Sequence, residues 1–508
     1  MPSTIHELLQ AGDDERIAIS GAARGDLPYA HLRSLVTRTG DTLNKLGIGR
    51  NDRIAIVLPN GPGMATAFVA IACSATTAPL NPAYTQDEYD FYLSDLNARA
   101  LVVEKGSDSP AVKAARAHNI QILELETGTD QPAGFFSISS DESDQHAGNQ
   151  DIGMAGPEDI ALVLHTSGTT SRPKIVPLSH RNVCASAANI QNTLQLIPDD
   201  VCLNIMPLFH IHGLMAAILA SLGKGASVFC SPGFDALKFY AWLDHARPTW
   251  YTAVPTMHQT ILARAKRNEE VIRNTRLRFI RSSSSSLPPQ VLHELEKTFD
   301  VPVVEAYAMT EAAHQMTCNQ LPPGIRKAGT VGCAAGPEVA IMAEAESDLL
   351  QHGQTGEIVI RGANVTTGYE NNPSANAENF VNGWFRTGDQ GVMDDDGYLT
   401  ITGRLKEIIN RGGEKISPRE VDDVLMDHPA VQQVVTFAMP HKTLGEDVAA
   451  AVVLKEGESA DEATIRSFAA ERLASFKVPR KILVLEEIPK GATGKLQRIG
   501  LAKKLGLA

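Results

Sequence analysis

A run of hydroxyl, glycine and lysine residues follows an apolar segment and has the composition of a phosphate-binding loop. Residues 160–165 read Ile-Ala-Leu-Val-Leu-His, which is typical of a buried strand. Closely spaced hydroxyls and backbone N–H groups can hold a polyphosphate, and a lysine adds positive charge. The run lacks the Gly-Lys-Ser/Thr ending of a Walker A loop, and a polar surface turn is the alternative interpretation. The candidate phosphate ligands are Thr166, Ser167, Gly168, Thr169, Thr170 and Lys174.

The composition limits the class of protein to which the chain can belong. It has 508 residues, of which 43% are hydrophobic and 21% charged, and its formal net charge is −13. A single hydrophobic core stops growing beyond about 250–300 residues, so we expect more than one domain. The acidic balance argues against nucleic acid as a partner, and any anion must be bound by local groups.

The cysteines and the apolar segments indicate the cellular setting. None of the six cysteines has CxxC spacing, so the sequence predicts neither a zinc site nor a redox site and favours the cytoplasm. No apolar run reaches about 18 residues, and we expect no membrane span. The first residues lack the pattern of a signal peptide, and the last three are not Ser-Lys-Leu.

Helical and strand patterns alternate along most of the chain, which predicts an α/β fold with parallel or mixed sheets. From about residue 339 the pattern changes to a small β unit, and a compact α+β segment follows residue 403. We therefore predict a large N-terminal domain, residues 1–403, and a small C-terminal domain, residues 404–508. The predicted strands of the large domain include residues 53–58, 100–103, 160–165, 228–230, 250–254 and 277–280.

The loop at residues 166–174 resembles the phosphate loop of the acyl-adenylate-forming enzymes, which include acyl-CoA synthetases, luciferases and peptide-synthetase adenylation domains. Further motifs of this family occur in the expected order over nearly the whole chain. A single match could arise by chance, whereas the ordered set identifies the family. The matches are Tyr-Ala-Met-Thr-Glu at 307–311, Trp-Phe-Arg-Thr-Gly-Asp at 384–389, Gly-Arg-Leu-Lys-Glu at 403–407, Arg-Gly-Gly-Glu-Lys-Ile-Ser-Pro at 411–418 and Pro-Lys-Gly-Ala-Thr-Gly-Lys at 489–495.

The resemblance implies a role in nucleotide binding for several residues. Tyr307 would stack on adenine, and Thr310 would hydrogen-bond the α-phosphate. Glu311, with Thr170, would hold Mg²⁺, a hard cation that prefers oxygen ligands and substrate phosphates. Asp389 would accept both ribose hydroxyls, because an ionised carboxylate has two acceptor oxygens. The remaining implied contacts to ATP or AMP are those of Ser284, Glu305, Ala306 and Arg404.

The resemblance also implies a two-step reaction with ATP, a carboxylic acid and CoA. Lys495 would bridge the attacking carboxylate and the α-phosphate, a kind of stabilisation typically worth about 10²–10³ in rate. The small C-terminal domain would be mobile and rotate between the two steps about a hinge at Lys406. Gly412 and Gly413 would line the CoA tunnel, where the lack of side chains permits close approach.

The identity of the acid depends on a few polar residues in the segments that resemble the family's acyl pocket. A pocket for a fatty or aromatic tail is expected to be apolar. Here His212, His314 and Ser284 can instead bind a second carboxylate through charge-assisted hydrogen bonds. His210, at a position that resembles the usual histidine of aryl and alkyl ligases, is the fourth candidate for contact with the acid. This pattern is similar to that of the oxalyl-CoA synthetases of plants and fungi and implies oxalate. The alternatives are a medium-chain, aryl or malonate-like acid, and each histidine could also be a packed core residue.

Other classes of protein share part of this pattern. A non-catalytic, adenylate-binding regulator would keep the nucleotide residues, but the presence of Lys495, Glu311 and Asp389 argues against it. An enzyme that loads a carrier protein, or a luciferase-type oxidase, would share the core motifs. Gly412 and Gly413 favour free CoA over a carrier, and the polar pocket argues against the oxidase. For the assembly, we expect a monomer or a homodimer.

Overall fold

The computed structural model describes residues 2–22, 24–128, 130–140, 151–166, 173–344, 347–489 and 496–508. These residues form two compact units. The first unit comprises residues up to 166, residues 173–339 and residues 360–380. The second comprises residues 340–359 and the chain from residue 381 to the C-terminus. The boundary predicted between residues 403 and 404 concerns a hinge, which compactness does not test, and it stays a prediction.

The strands among these residues are numbered in chain order. They are β1 Ile17–Gly21, β2 Arg24–Pro28, β3 Arg53–Val57, β4 Thr76–Pro79, β5 Ala100–Glu104, β6 Gln121–Glu126, β7 Ser137–Ser139, β8 Ile160–Thr166, β9 Lys174–Ser179, β10 Val201–Asn204, β11 Ser227–Cys230, β12 Trp250–Ala253, β13 Phe279–Ser283, β14 Val303–Met309, β15 His314–Cys318, β16 Cys333–Ala334, β17 Glu338–Met342, β18 Thr355–Arg361, β19 Phe380–Val381, β20 Trp384–Met393, β21 Leu399–Arg404, β22 Ile409–Arg411, β23 Glu414–Ile416, β24 Val431–His441, β25 Gly445–Leu454 and β26 Lys481–Val484.

The helices are numbered in the same way. They are α1 Ile5–Leu8, α2 Tyr29–Lys45, α3 Pro62–Ala72, α4 Gln86–Asp95, α5 Pro110–Ala117, α6 His180–Thr193, α7 Ala220–Leu222, α8 Phe239–Ala246, α9 Pro255–Ala265, α10 Glu269–Arg273, α11 Pro289–Phe299, α12 Pro373–Asn379, α13 Pro418–Met426, α14 Glu462–Ala470 and α15 Leu501–Lys504. Short 3₁₀ turns cover Leu9–Ala11, Thr310–Ala312 and Leu405–Glu407, and a π-helix covers His212–Leu219.

Two large sheets form the framework of the first unit. One has the strand order β7-β6-β5-β3-β4-β8-β9 and the other β16-β15-β14-β13-β12-β10-β11-β1-β2. Their central strands are parallel, whereas the edge strands β2, β7, β9, β15 and β16 are antiparallel. Each sheet has its own apolar core, as expected when helices cover a mostly parallel sheet. The predicted α/β class is confirmed.

The second unit contains two smaller sheets. One joins β17, β18, β20 and β19, with β21 on β20, and the other joins β23, β22, β25 and β24, with β26 on β25. Helices α13 and α14 pack on the latter through buried aliphatic residues such as Val421, Leu425 and Ile465. The period of the apolar positions in α13 is helical, and Ser417 caps its first turn by accepting the N–H of Glu420.

The register of β13 and β14 brings the predicted site segments together in the first unit. The strands are parallel neighbours, with Ser282 opposite Glu305 and Ser283 opposite Ala306. Parallel strands end at the same edge of a sheet, where ligands of α/β proteins bind. The serine run after β13 and the Thr310–Ala312 turn after β14 therefore lie at one edge. In the residues that the structure describes, no helix is long and apolar enough to cross a membrane.

Candidate active site

The ends of β13 and β14 form the wall predicted to face the nucleotide. Glu305 is buried, and its Oε1 accepts the backbone N–H of Leu287 at 2.8 Å. The Ser283 hydroxyl donates to the carbonyl oxygen of Ala306 at 2.9 Å. Tyr307 is 8% exposed and lies next to a register shift between β14 and β15. These contacts fix the backbone on which Ala306 and Tyr307 are presented.

Glu311 is a buried carboxylate in the turn after Thr310. Its Oε1 accepts the hydroxyl of Tyr369 at 2.8 Å, and its backbone carbonyl accepts the N–H of Thr366 at 2.7 Å. The ring of Tyr369 lies 4.3 Å from Nζ of Lys174. Tyr369 therefore connects the two charged residues predicted to contact metal and phosphate. An ionised carboxylate accepts at both oxygens, so it can bind a cation and accept a hydrogen bond at the same time.

These residues fit Mg²⁺ bound mainly by phosphates and water. Mg²⁺ commonly takes one or two carboxylates and completes its octahedron with waters and substrate oxygens. The described part of the chain has no cluster of three or more His, Cys, Asp or Glu suited to hold a metal by protein ligands alone. Glu311 is the described residue suited to that single contact, and Thr170, its predicted companion, lies outside the described residues.

A polar cluster lies beside this wall. His212 Nδ1 is 2.9 Å from Oγ of Ser284, and its Nε2 is 2.6 Å from Oγ1 of Thr252. His212 begins the π-helix, a wide turn that often occurs at functional sites. The next residue is Gly213, and a Cβ there would lie only 2.6 Å from the carbonyl oxygen of Pro207. A larger residue would therefore displace the turn that aims His212.

His314 stacks on His212 and is held in an unusual backbone conformation. The ring centroids are 4.9 Å apart with an interplanar angle of 26°. The φ angle of His314 is +100° and that of Ser284 is +73°, both in the region that non-glycine residues rarely adopt. Such strain concentrates at functional sites because surrounding contacts must maintain it. Here the amide of Asn364 donates to the carbonyls of Ala312, at 2.7 Å, and of Gln315, at 3.1 Å.

His314 is a neutral group at physiological pH. It is fully buried, and burial together with the nearby charge of Arg281 holds the pKa of His314 well below its usual range. Neither of its ring nitrogens hydrogen-bonds another group in the described part of the chain. A buried polar atom without a partner is costly, so these nitrogens are suited to meet a polar ligand. The predictions for His212, Ser284 and His314 thus converge on one cluster.

His210 is also placed near this segment, but the contact seen is of a different kind. Its half-buried ring packs on Phe209, with centroids 4.6 Å apart. Its backbone carbonyl accepts the N–H of Leu214 within the wide turn. Its predicted contact with the acid stays a prediction.

The second unit pairs two residues predicted to bind ribose and phosphate. Arg404 Nε donates to Oδ1 of Asp389 at 2.8 Å across the β20–β21 pair. Asp389 is buried, whereas Arg404 is exposed. Arg404 thus orients one oxygen of Asp389. This suits a carboxylate that is predicted to accept hydrogen bonds from the ribose hydroxyls.

The segments predicted as the hinge and the CoA contact lie in the same unit. Lys406 is exposed in the 3₁₀ turn Leu405–Glu407. Gly412 and Gly413 have φ angles of +60° and +99° and form the two-residue turn between β22 and β23. Positive φ at both positions is the geometry that favours glycine in tight hairpins. The turn is exposed, and the CoA contact stays a prediction.

Several predicted residues lie outside the described part of the chain. They are Ser167, Gly168, Thr169, Thr170 and the catalytic candidate Lys495. Thr166 closes β8, opposite Lys174 on β9, so these two residues flank the predicted phosphate loop. Beyond Lys495, the partly buried Arg498 pairs with Asp422 at 2.7 Å and with Glu407 at 3.2 Å.

Sequence analysis missed four residues of the first unit that shape the site. Tyr369 and Asn364 lie far along the chain from the motif that they contact, and Thr252 and Arg281 sit within apolar strand patterns. A charged residue inside a buried strand was the one available signal, because an arginine is almost never fully buried without a partner. Arg281 is fully buried.

The sequence of the chain is similar to those of known proteins. Residues 10–370 match the family described as AMP-binding enzyme, and residues 420–495 match the AMP-binding enzyme C-terminal domain. An oxalate–CoA ligase of Arabidopsis thaliana is 44% identical over 95% of this chain and 94% of its own. An oxalate–CoA ligase of Saccharomyces cerevisiae is 42% identical over 93% and 90%.

A solved structure shows the same fold. ATP-bound MatB from Rhodopseudomonas palustris superposes with a TM-score of 0.88 at 27% identity, covering 99% of both chains. The family matches together cover most of the chain and include both units, and the predicted resemblance is confirmed. The chain belongs to the AMP-binding enzyme family.

Proposed function

We propose that the protein is an AMP-forming acid:CoA ligase and that its acid is oxalate. The observation that carries the proposal is the polar cluster of the buried His212 and His314 with the partly buried Ser284, directly beside the nucleotide wall. His314 pairs with Met309 across β14 and β15, so the cluster begins one residue from Thr310. An acid held there has its reacting carboxylate near the predicted α-phosphate contact and its other end among hydrogen-bonding side chains.

The reaction has two steps. A carboxylate oxygen of the acid attacks the α-phosphorus of ATP, the bond to the β-phosphate oxygen breaks, and diphosphate leaves. The sulfur of CoA then attacks the acyl carbonyl, and AMP leaves with the bonding electrons. Thr310 binds the α-phosphate, and Lys495 stabilises the charge that develops during the first step. Mg²⁺, held by Glu311 and Thr170, neutralises phosphate charge when bound.

The nucleotide is held by the remaining predicted residues. Tyr307 stacks on adenine, with Ser284, Glu305 and Ala306 along its edge, and Asp389 with Arg404 holds the ribose. The triphosphate lies on the loop from Thr166 to Lys174. The small domain, residues 404–508, turns about Lys406 between the steps, and Gly412 and Gly413 then line the path of CoA.

The polarity of the cluster favours oxalate over acids with apolar tails. His212, Thr252, Ser282, Ser283 and His314 are buried side chains that leave the pocket polar. An alkyl or aryl tail would leave the imidazole nitrogens of His314 unpaired, at a cost of about 1–3 kcal/mol per buried group. A second carboxylate accepts the imidazole N–H and so pairs the donor nitrogen. The two oxalate–CoA ligases from plant and yeast support the same choice.

The cellular location and the oligomeric state of the protein are part of the same proposal. We place it in the cytoplasm, where its six cysteines remain as thiols and its three substrates are found. We expect it to work as a monomer or a homodimer, because each chain carries a complete set of predicted site residues. A gel-filtration mass distinguishes the two assemblies.

Diphosphate release with a panel of acids tests the function. The panel contains oxalate, malonate, acetate, octanoate and 4-coumarate, each with and without CoA. We expect CoA-dependent turnover with oxalate and at least about tenfold lower kcat/KM with malonate, whose extra methylene must fit the same polar pocket. Turnover with octanoate or 4-coumarate alone would keep the ligase and discard the diacid pocket. ATP binding without diphosphate release from any acid would indicate the non-catalytic regulator.

A further inference from the structure

Arg281 is a fully buried arginine that has no carboxylate partner in the described part of the chain. It lies in the middle of β13, opposite Thr252 on the neighbouring parallel strand β12. A buried charge without a counter-ion is strongly unfavourable unless another group compensates it. The nearby Arg278 is partly exposed and does have a carboxylate partner, the buried Asp200 at 2.8 Å. The exception at Arg281 therefore requires a functional explanation.

The hydrogen bonds of Arg281 run towards the acid pocket. Its Nη1 is 3.4 Å from Oγ1 of Thr252 and 3.4 Å from Nε2 of His212. Its Nη2 donates to Oε1 of Gln315 at 3.2 Å. The amide nitrogen of Gln315 donates to Oγ1 of Thr193 and to the carbonyl of Ala335, so the amide oxygen is the atom that faces Arg281. The guanidinium is thereby held in one orientation.

An arginine can only donate, and this property fixes the direction of every hydrogen bond that follows. Nη1 of Arg281 lies 3.4 Å from Nε2 of His212 and can only donate to it, so this nitrogen is an acceptor. The hydroxyl of Thr252, which also accepts from Arg281, therefore points its hydrogen to Nε2 of His212, 2.6 Å away. With Nε2 as acceptor, neutral His212 carries its hydrogen on Nδ1 and donates to Oγ of Ser284, 2.9 Å away. The hydroxyl hydrogen of Ser284 is then left to donate to a further acceptor.

We propose that Arg281 is a positioning residue that orients this hydrogen-bond chain, so that Ser284 presents a hydroxyl donor to the far carboxylate of the acid. The chain comprises Arg281, Thr252, His212 and Ser284, in that order. This inference rests on the proposed function, since it names the device that selects a dicarboxylate. Without the guanidinium, His212 can take either tautomer, and Ser284 can then turn its lone pairs instead of its hydrogen towards the substrate. The arginine also supplies the positive charge that an incoming dianion compensates.

The second carboxylate is the part of the substrate that this chain recognises. Glyoxylate has an aldehyde in place of that carboxylate and otherwise the same two-carbon frame, which makes it the matched probe. The quantity to measure is the ratio of kcat/KM for oxalate to that for glyoxylate. A residue with a purely structural role would change both values and the KM for ATP together.

Four variants test the proposal. Arg281→Met keeps the length of the side chain and removes the charge, and Thr252→Val removes the link to His212 while the arginine stays. Arg281→Lys restores a positive donor. Arg278→Met is the matched control, because it removes an arginine that directly precedes β13 but pairs with Asp200.

We expect Arg281→Met to lower the oxalate-to-glyoxylate ratio about 10- to 100-fold, the effect of losing charged hydrogen bonds. Thr252→Val should lower it about tenfold, Arg281→Lys should recover part of the loss, and Arg278→Met should leave the ratio unchanged. A ratio in Arg281→Met within about threefold of the wild-type value would overturn the proposal. So would an equal rise in the KM for ATP. If Arg281→Met fails to fold, Thr252→Val decides, and an unchanged ratio in that variant refutes the chain. Absence of oxalate turnover in the wild-type protein refutes the proposed function itself.

Discussion

Replacing Tyr369 with phenylalanine isolates one hydrogen bond at the proposed metal site. The Tyr369 hydroxyl donates to Oε1 of Glu311 at 2.8 Å, and both side chains are 6% exposed. The aromatic ring stays in the variant, so its contact with Nζ of Lys174 at 4.3 Å is kept. The substitution therefore removes the hydroxyl that contacts the carboxylate of Glu311 and keeps the ring.

The magnitude follows from the burial of this bond. A hydrogen bond to a charged group contributes about 1.5–3 kcal/mol, and water has little access to replace the lost hydroxyl. Removing a group that orients a metal ligand typically costs about 10- to 100-fold in metal affinity. We expect the free Mg²⁺ concentration for half-maximal rate to rise about tenfold in Tyr369→Phe, with a smaller change in the KM for oxalate.

The assay is initial diphosphate release at saturating ATP, oxalate and CoA over a series of free Mg²⁺ concentrations. Tyr240→Phe is the matched control, because the Tyr240 hydroxyl donates to the carbonyl of Ile261 at 2.8 Å within an apolar core. Both variants lose one buried hydroxyl, but it is Tyr369→Phe that removes a hydrogen bond to Glu311. The same Mg²⁺ dependence in both would refute the assignment of Glu311 as the metal ligand oriented by Tyr369.

Three further predictions follow from the site and the core. Lys495→Ala should slow adenylate formation about 10²–10³-fold and leave the reaction of preformed oxalyl-AMP with CoA nearly intact; equal losses in both half-reactions would contradict its role. His314→Ala should raise the KM for oxalate about tenfold or more and that for ATP little, and an unchanged oxalate KM would remove His314 from the pocket. Burial lowers the pKa of His180 from 6.5 to about 4 and that of His258 to about 3. The unfolded chain therefore binds protons first, and stability should fall below pH 6.5 by about 1.4 kcal/mol per pH unit for each histidine. Urea unfolding on both sides of pH 6.5 measures this loss, and a flat profile would contradict it.

The periodic parts of the fold could be predicted from the sequence. The predicted strands at residues 53–58 and 160–165 correspond to Arg53–Val57 and Ile160–Thr166. One face or the whole of each of these segments is buried. Because buried positions are mostly apolar, the segments show a clear pattern of apolar residues in the sequence. The strand predicted at residues 277–280 begins at Phe279 and extends to Ser283, because serines that pair with β14 are buried without being apolar.

The site could be predicted in part, and the missing part depends on pairing between distant segments. The motif residues Tyr307, Thr310 and Glu311 are contiguous, so their proximity needs no knowledge of the fold. The position of Thr252 opposite Arg281 depends on the register of β12 and β13, which composition does not encode. Likewise, the contact of Tyr369 with Glu311 joins residues 58 positions apart.

The burial of the cysteines has a chemical consequence for an enzyme that makes an acyl-adenylate. Such a mixed anhydride is an acylating reagent and reacts with any accessible thiolate. Burial raises the pKa of Cys318 to about 11 and that of Cys184 to about 12, and it raises those of Cys73, Cys202 and Cys230 as well. Because only the thiolate is an effective nucleophile, these five side chains are unreactive as protonated thiols at neutral pH. These five buried thiols are therefore protected from acylation by the intermediate, which favours the thiol of CoA as the acceptor.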